Sequence, residues 1–295
     1  MGNFGKSFGA VCDENYLSKG FKNLGVEVFE NEIPEQVDLI LTFKSNKYGV
    51  EDIKKWKEEK KAPIWVFTFD NMDRFPQFYP TIKECDLWLG EELGRNCRFK
   101  QEGLPFYYFP YHAVPSEVFH SSGTVWEYDV VFTGTPYEGN SKPDKFELLR
   151  AIQERFDLHV FGNNEEGWRQ KGIKNVHPPV FDENLSALYG KSKIVLAISN
   201  VQCEGYWSIR TTQALMCGAF TLARFTPQME KELRDNVAYF QDIPDCLEKI
   251  EYYLKNEYER DKTARKGYNF AMMNLTTEQK LKQLIILYDN RESLI

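Results

Sequence analysis

Short apolar runs alternate with amphipathic ones from one end of this chain to the other, and that alternation limits its architecture more than any other feature. In the first half, residues 26–29, 37–43, 64–69 and 87–89 read as strands, with 106–111 a further candidate. Residues 16–24, 50–61 and 78–84 read as the helices between them. The strand runs are almost wholly apolar, as expected of strands buried on both faces of a parallel sheet covered by helices. Between about 115 and 128 the pattern lapses into His120-Ser121-Ser122-Gly123-Thr124, small polar residues that suggest a surface linker. It then restarts, with strands at 129–132, 158–161, 194–198, 221–223 and 237–240. Helices are expected at 145–155, 185–190 and 209–217, then at 246–255, 259–273 and 277–288. The fold class is therefore α/β, with two Rossmann-like domains facing across a cleft. The division is 1–115, 116–275, and a C-terminal helical piece at 276–295 placed to pack back on the first domain. A doubly wound domain normally opens with a buried strand, yet here the glycine-rich turn 2–9 comes almost at once. Either residues 1–4 form a minimal first strand or the start lies upstream.

Composition narrows the function. The 295 residues carry 37 Lys and Arg against 44 Asp and Glu, a net charge of −7 without a basic stripe. Such a chain repels a phosphate backbone, so nucleic acid is not an expected partner. No apolar stretch approaches the ~18 residues that span a bilayer, and the N-terminus lacks a signal pattern. The six cysteines contain no C-x-x-C pair and the four histidines are scattered, so no metal site is expected. Reduced thiols in the cytoplasm are the simplest reading.

Ligands of open parallel sheets bind beyond the carboxyl ends of the strands. The strongest cluster there runs from Tyr206 to Gly218. Ser208 suits an N-cap and Gly218 a helix stop. A helix N-terminus offers N–H groups and a positive dipole end to a diphosphate, and Arg210 in its first turn adds a charge-assisted contact. Gln213 shares that face and can reach a sugar or ribose hydroxyl. The plainer alternative is that Ser208 only caps and Arg210 pairs with a surface carboxylate.

The stretch S-x-R-x-x-Q-A-L-x-C-G-A-F, followed by a strand and an acidic helix, resembles the C-terminal domain of GT-B glycosyltransferases. Within them it is most similar to the group 1-like, spore-maturation (CgeB-like) branch. Ala264-Arg265-Lys266-Gly267-Tyr268 ahead of Asn274-Leu275-Thr276 resembles that branch too, and the similarity covers about 186–284. The resemblance implies a metal-independent hexosyltransferase that takes a UDP- or GDP-sugar as substrate, with no cofactor. The acceptor is unidentified: a glycan, a protein or a small molecule. It puts Thr133 and Gly134 beside the donor phosphates, with Lys142 near them and His177 in the base-binding region. Tyr206, Ser208, Arg210 and Gln213 complete the donor set. Where the family has Glu, this chain has Gln213, a neutral acceptor. In the first domain Asp70 follows an apolar strand and can deprotonate an acceptor hydroxyl if the transferase inverts, with His112 the second catalytic candidate. No D-x-D motif stands at a strand end. The alternatives are a nucleotide-sugar epimerase or hydrolase of the same architecture, or a binding or surface-assembly protein without turnover.

Overall fold

The computed structural model describes residues 6–7, 10–11, 13–43, 48–68, 76–91, 93, 101–111, 114–121, 125–139, 144–199 and 202–293. The chain forms two units, neither of them continuous in sequence. The first comprises Met1–Tyr111, Cys203–Tyr206 and Lys280–Ile295; the second comprises His112–Gln202 and Trp207–Gln279.

In the first unit, strands β1 (Lys6–Ser7) and β2 (Ala10–Val11) form a small antiparallel pair. The main sheet is parallel: β3 (Ile40–Phe43), β4 (Ile64–Thr68), β5 (Leu87–Gly90) and β6 (Phe106–Tyr108), in that order. Every residue of β4 and β5 is buried, which accounts for their unbroken apolar runs. Helices α1 (Asp13–Asn23), α2 (Val50–Lys60) and α3 (Tyr79–Lys83) accompany the sheet. Ile53 and Trp56 of α2 and Ile82 of α3 share a core with Ile40, Ile64, Val66 and Trp88. The strand expected at 26–29 does not form, and the one expected at 37–43 begins only at Ile40. Left-handed backbone at Gly25 and Asn31 interrupts extension there, and Val26 and Phe29 stay exposed.

The second unit has six parallel strands: β7 (Tyr128–Gly134), β8 (Leu158–Gly162), β9 (Val176–His177), β10 (Ser192–Ala197), β11 (Thr221–Arg224) and β12 (Ala238–Phe240). Their spatial order is β12-β11-β10-β7-β8-β9. The chain starts mid-sheet at β7, moves outward through β8 and β9, then crosses to the other side of β7 and proceeds outward again. That reversal puts a topological switch point between β7 and β10, where open α/β sheets bind ligands. The helices are α4 (Lys145–Gln153), α5 (Glu165–Gln170), α6 (Asp182–Gly190), α7 (Ile209–Met216), α8 (Pro227–Leu233), α9 (Ile243–Lys255) and α10 (Glu257–Asn274). A last helix, α11 (Thr277–Asp289), leads from this unit back into the first. Val130, Phe132, Val160, Leu196 and Leu222 form the core with Leu149 of α4 and Ile250 of α9. Gly267 lets α10 close on α7, because a Cβ there would lie 2.5 Å from Leu215.

The expected linker is only partly a surface segment. Val118 and Phe119 are buried, and Val114 forms a parallel bridge with Thr276. Strand β9 and helix α5 are additions that the apolar pattern did not signal, both being short.

Candidate functional site

The carboxyl ends of β7 and β10 meet the N-terminus of α7 at the switch point. Ser208 is extended and its Oγ accepts from the Arg210 backbone N–H at 3.3 Å, the N-cap its residue type favours. The Arg210 side chain then turns back over this end of the helix. Its Nη1 donates to Ser208 Oγ at 2.7 Å and to the Ile198 carbonyl, just past β10, at 3.1 Å. The guanidinium carbon stands 5.5 Å from the Phe132 ring centroid on β7. Gly134 leaves little spare room at this approach: a Cβ there would lie 3.2 Å from Arg210 Nη2 and 3.0 Å from the Phe132 ring. Gly162 at the end of β8 is under tighter constraint, since its Cβ would fall 1.9 Å from the Gly134 carbonyl oxygen. Arg210 thus joins the two strand ends that define the crevice.

Two more cations lie at this edge of the sheet, and sequence reasoning missed both. Lys145, the first residue of α4, is 2% exposed, and its Nζ donates to the carbonyls of Thr135 and Tyr137 at 2.8 Å each. It also sits 4.8 Å from the Phe146 ring and 5.1 Å from that of Trp168. Burial and the nearby Arg210 guanidinium push its ammonium down to about 7, against an opposing pull from Asp144. Arg224, closing β11, is buried, and burial lowers it to about 10. The Asp144 carboxylate is engaged as the N-cap of α4, accepting from the backbone of Phe146 and Glu147. The fully buried Trp168 indole N–H has no hydrogen-bond partner among the described residues. Positive charge gathered at helix N-termini in a partly dry crevice is a setting for a multiply charged anion.

Both missed residues leave a signal in the sequence. A lysine at the first helical position opposes the helix dipole, so Lys145 breaks a local rule. Arg224 ends a strand of otherwise uncharged residues, where a charge has to be accommodated at the sheet edge.

The remaining expected site residues fall in several places. Thr133 is buried, and its Oγ1 lies 2.6 Å from the hydroxyl of Tyr189, whose phenol is driven up to about 12 by burial. Gln213 is half-buried one turn beyond Arg210. His177 belongs to a separate cluster on β8 and β9: its Nε2 is 2.8 Å from His159 Nδ1 and its ring stacks on Phe161 at 4.5 Å. Tyr206 groups with the first unit rather than with Ser208. Asp70, His112 and Lys142 lie outside the described residues. A cavity of about 480 Å³ in the first unit, between α1 and the 25–39 stretch, contains none of these residues.

Burial pushes the thiols of Cys85, Cys217 and Cys246 up to about 12, so they pack as apolar groups rather than serve as nucleophiles. Among the described residues, no group of three or more His, Cys, Asp or Glu could hold a metal ion. None of the described helices is long and apolar enough to cross a membrane.

Residues 145–286 match the family of glycosyl transferase-like domains. No curated protein matches the sequence. Among solved structures, T4 phage BGT in complex with its UDP-glucose substrate is similar to 100% of this chain over 97% of its own, with 16% identity and a TM-score of 0.61. Anabaena HepE in complex with UDP and glucose matches 85% of this chain and 77% of its own, at 12% identity and a TM-score of 0.62. Sucrose-phosphate synthase from Thermosynechococcus elongatus matches 88% and 74%, at 11% identity and a TM-score of 0.63. The fold is that of GT-B glycosyltransferases, with two Rossmann-like α/β units, and the residues that match glycosyl transferase-like domains take in most of the second.

Proposed function

We propose that this protein is a glycosyltransferase that moves a sugar from a nucleoside diphosphate donor to an acceptor, a glycan, a protein or a small molecule. The observation that carries this reading is Arg210, fixed by Ser208 and Ile198 across the switch point of the second sheet, beside a helix N-terminus. A diphosphate seated there would have its charge met by the guanidinium and by the positive end of α7. As the glycosidic bond breaks, negative charge builds on the departing diphosphate. Groups already oriented toward it stabilise that transition state without further reorganisation. With this electrostatic set the leaving group needs neither a metal ion nor a cofactor. The neutral amide of Gln213 would hydrogen-bond a donor hydroxyl, and His177 would lie toward the base. Asp70 is the favoured base for the acceptor, with His112 second, and the CgeB-like spore-maturation branch is the favoured subgroup. A cytoplasmic setting suits both the nucleotide sugar and the free thiols of Cys85, Cys217 and Cys246.

Titration calorimetry with UDP and GDP, followed by turnover of UDP-glucose and GDP-mannose with and without a chelator, tests the reading. One nucleotide should bind, turnover should persist in the chelator, and Arg210→Ala should lower kcat by about 100-fold. Failure of every nucleotide to bind would sink the proposal. Binding with neither transfer nor hydrolysis would favour the non-catalytic binding protein instead.

A further inference from the structure

Lys145 is an anomaly that the donor reading alone does not explain. A lysine at the first position of a helix faces the positive end of the dipole. Here it is also almost completely buried, next to a second cation, Arg210, that the mechanism requires. Its ammonium does not point at solvent but at the backbone, tying together the carbonyls of Thr135 and Tyr137 directly after Gly134. Charged groups among the described residues stand near it on more than one element. From its own helix comes Asp144, whose carboxylate already accepts two backbone N–H groups. From α7 comes Arg210. Lys171, which pairs with Glu138, also stands over the Phe146 ring. Phe146 and Trp168 form the apolar wall.

We infer that Lys145 is a proton-linked positioning residue of the donor site, its amine taking up a proton when a diphosphate binds beside Arg210 and then locking the turn after β7. This rests on the donor reading above. Without the anion, burial and the like charge of Arg210 both oppose protonation of Lys145, and its affinity for a proton falls to the neutral range. A bound diphosphate cancels the Arg210 field at that point. The amine then accepts a proton from buffer, and the ammonium holds the Thr135 and Tyr137 carbonyls with charge-assisted hydrogen bonds. Linkage makes the effect reciprocal: donor affinity falls as pH rises above the value at which free Lys145 titrates.

The test is titration calorimetry of UDP-glucose on the full chain at pH 8, in two buffers of different ionisation enthalpy. UDP-glucose is chosen because its diphosphate, esterified at both ends, has no ionisation near neutral pH. The wild-type chain should take up as much as about 0.9 proton per UDP-glucose, with affinity falling by as much as about 16-fold between pH 7 and pH 8.5. Lys145→Arg keeps the charge at every pH, so its complex should show no uptake and a flat affinity profile. Lys145→Met should also show no uptake and should bind more weakly than wild type at pH 6. Binding of UDP-glucose with no proton uptake by the wild type, or with equal uptake by Lys145→Arg, would overturn the inference and leave the donor reading intact. Absence of binding by UDP-glucose, UDP and GDP alike would overturn both.

Discussion

Individual residues here act through the side chains within hydrogen-bonding or van der Waals reach of them. His177 shows this most clearly. Burial lowers its imidazole from the ordinary 6.5, and the neighbouring His159 adds to the effect while Glu165 opposes it. The native chain therefore holds this proton less tightly than the unfolded chain does. The stability His177 contributes is complete above about pH 6.5 and is lost as pH falls below it. Denaturant titrations from pH 8 to pH 5 should show His177→Gln losing less stability on acidification than wild type. Identical pH profiles for the two proteins would refute this role. The same locality governs what sequence reading finds. Ser208 and Arg210 were legible because N-capping and first-turn charge are matters of adjacent residues. His159 was not, because its partner is a residue on the neighbouring strand. The 1.9 Å between the Gly134 oxygen and a Cβ at Gly162 is likewise invisible until β7 and β8 are paired.

At the level of elements, five helices of the second unit start on side-chain caps just past the carboxyl ends of strands, at the sheet edge where the ligand would sit. Asp144, Asn164, Ser208, Thr226 and Asp242 each cap a helix through a side-chain oxygen. Only the Ser208 cap also holds a guanidinium. Ser208→Ala should therefore cost about 1 kcal/mol of stability and in addition weaken UDP binding several-fold. Asp242→Ala removes the cap of α9, which follows edge strand β12, and should cost about the same stability while leaving UDP binding unchanged. Equal binding losses in both variants would mean that the nucleotide effect comes from general destabilisation. The long apolar strands β4, β7 and β10 and the strongly amphipathic α9 stood out in the sequence because burial on both faces, or on one face, imposes a periodicity. The two residues of β9 and the six of α5 are too short to express one. The 26–29 run had the composition of a strand, yet left-handed backbone at Gly25 and Asn31 on either side prevents it from extending.

For the molecule as a whole, the division into units does not follow the order of the chain. Four residues, Cys203–Tyr206, belong to the first unit although sequence on both sides belongs to the second. The Glu204 carbonyl accepts from Leu93 N at 2.7 Å, and the Gly205 carbonyl accepts from the Tyr108 hydroxyl at 2.9 Å. No periodicity marks so short an excursion, so a linear reading cannot find it. The chain end is the larger case. Leu281, Leu284 and Leu287 of α11 are buried, and Tyr288 packs against Trp65 and donates to the Asp38 carbonyl at 2.9 Å. The first unit therefore depends on residues more than 170 positions beyond the end of its own sheet. Three buried leucines alone contribute on the order of 5 kcal/mol, comparable to the whole stability of a small domain. A chain ended after Gln279 keeps every strand of the second unit and loses this packing from the first. Its amide hydrogen exchange should accelerate throughout β3 to β6 while β7 to β12 remain protected, because units with separate cores open separately. If β4 in the shortened chain stayed as protected as in the full one, α11 would be an appendage of the first unit and not part of its core.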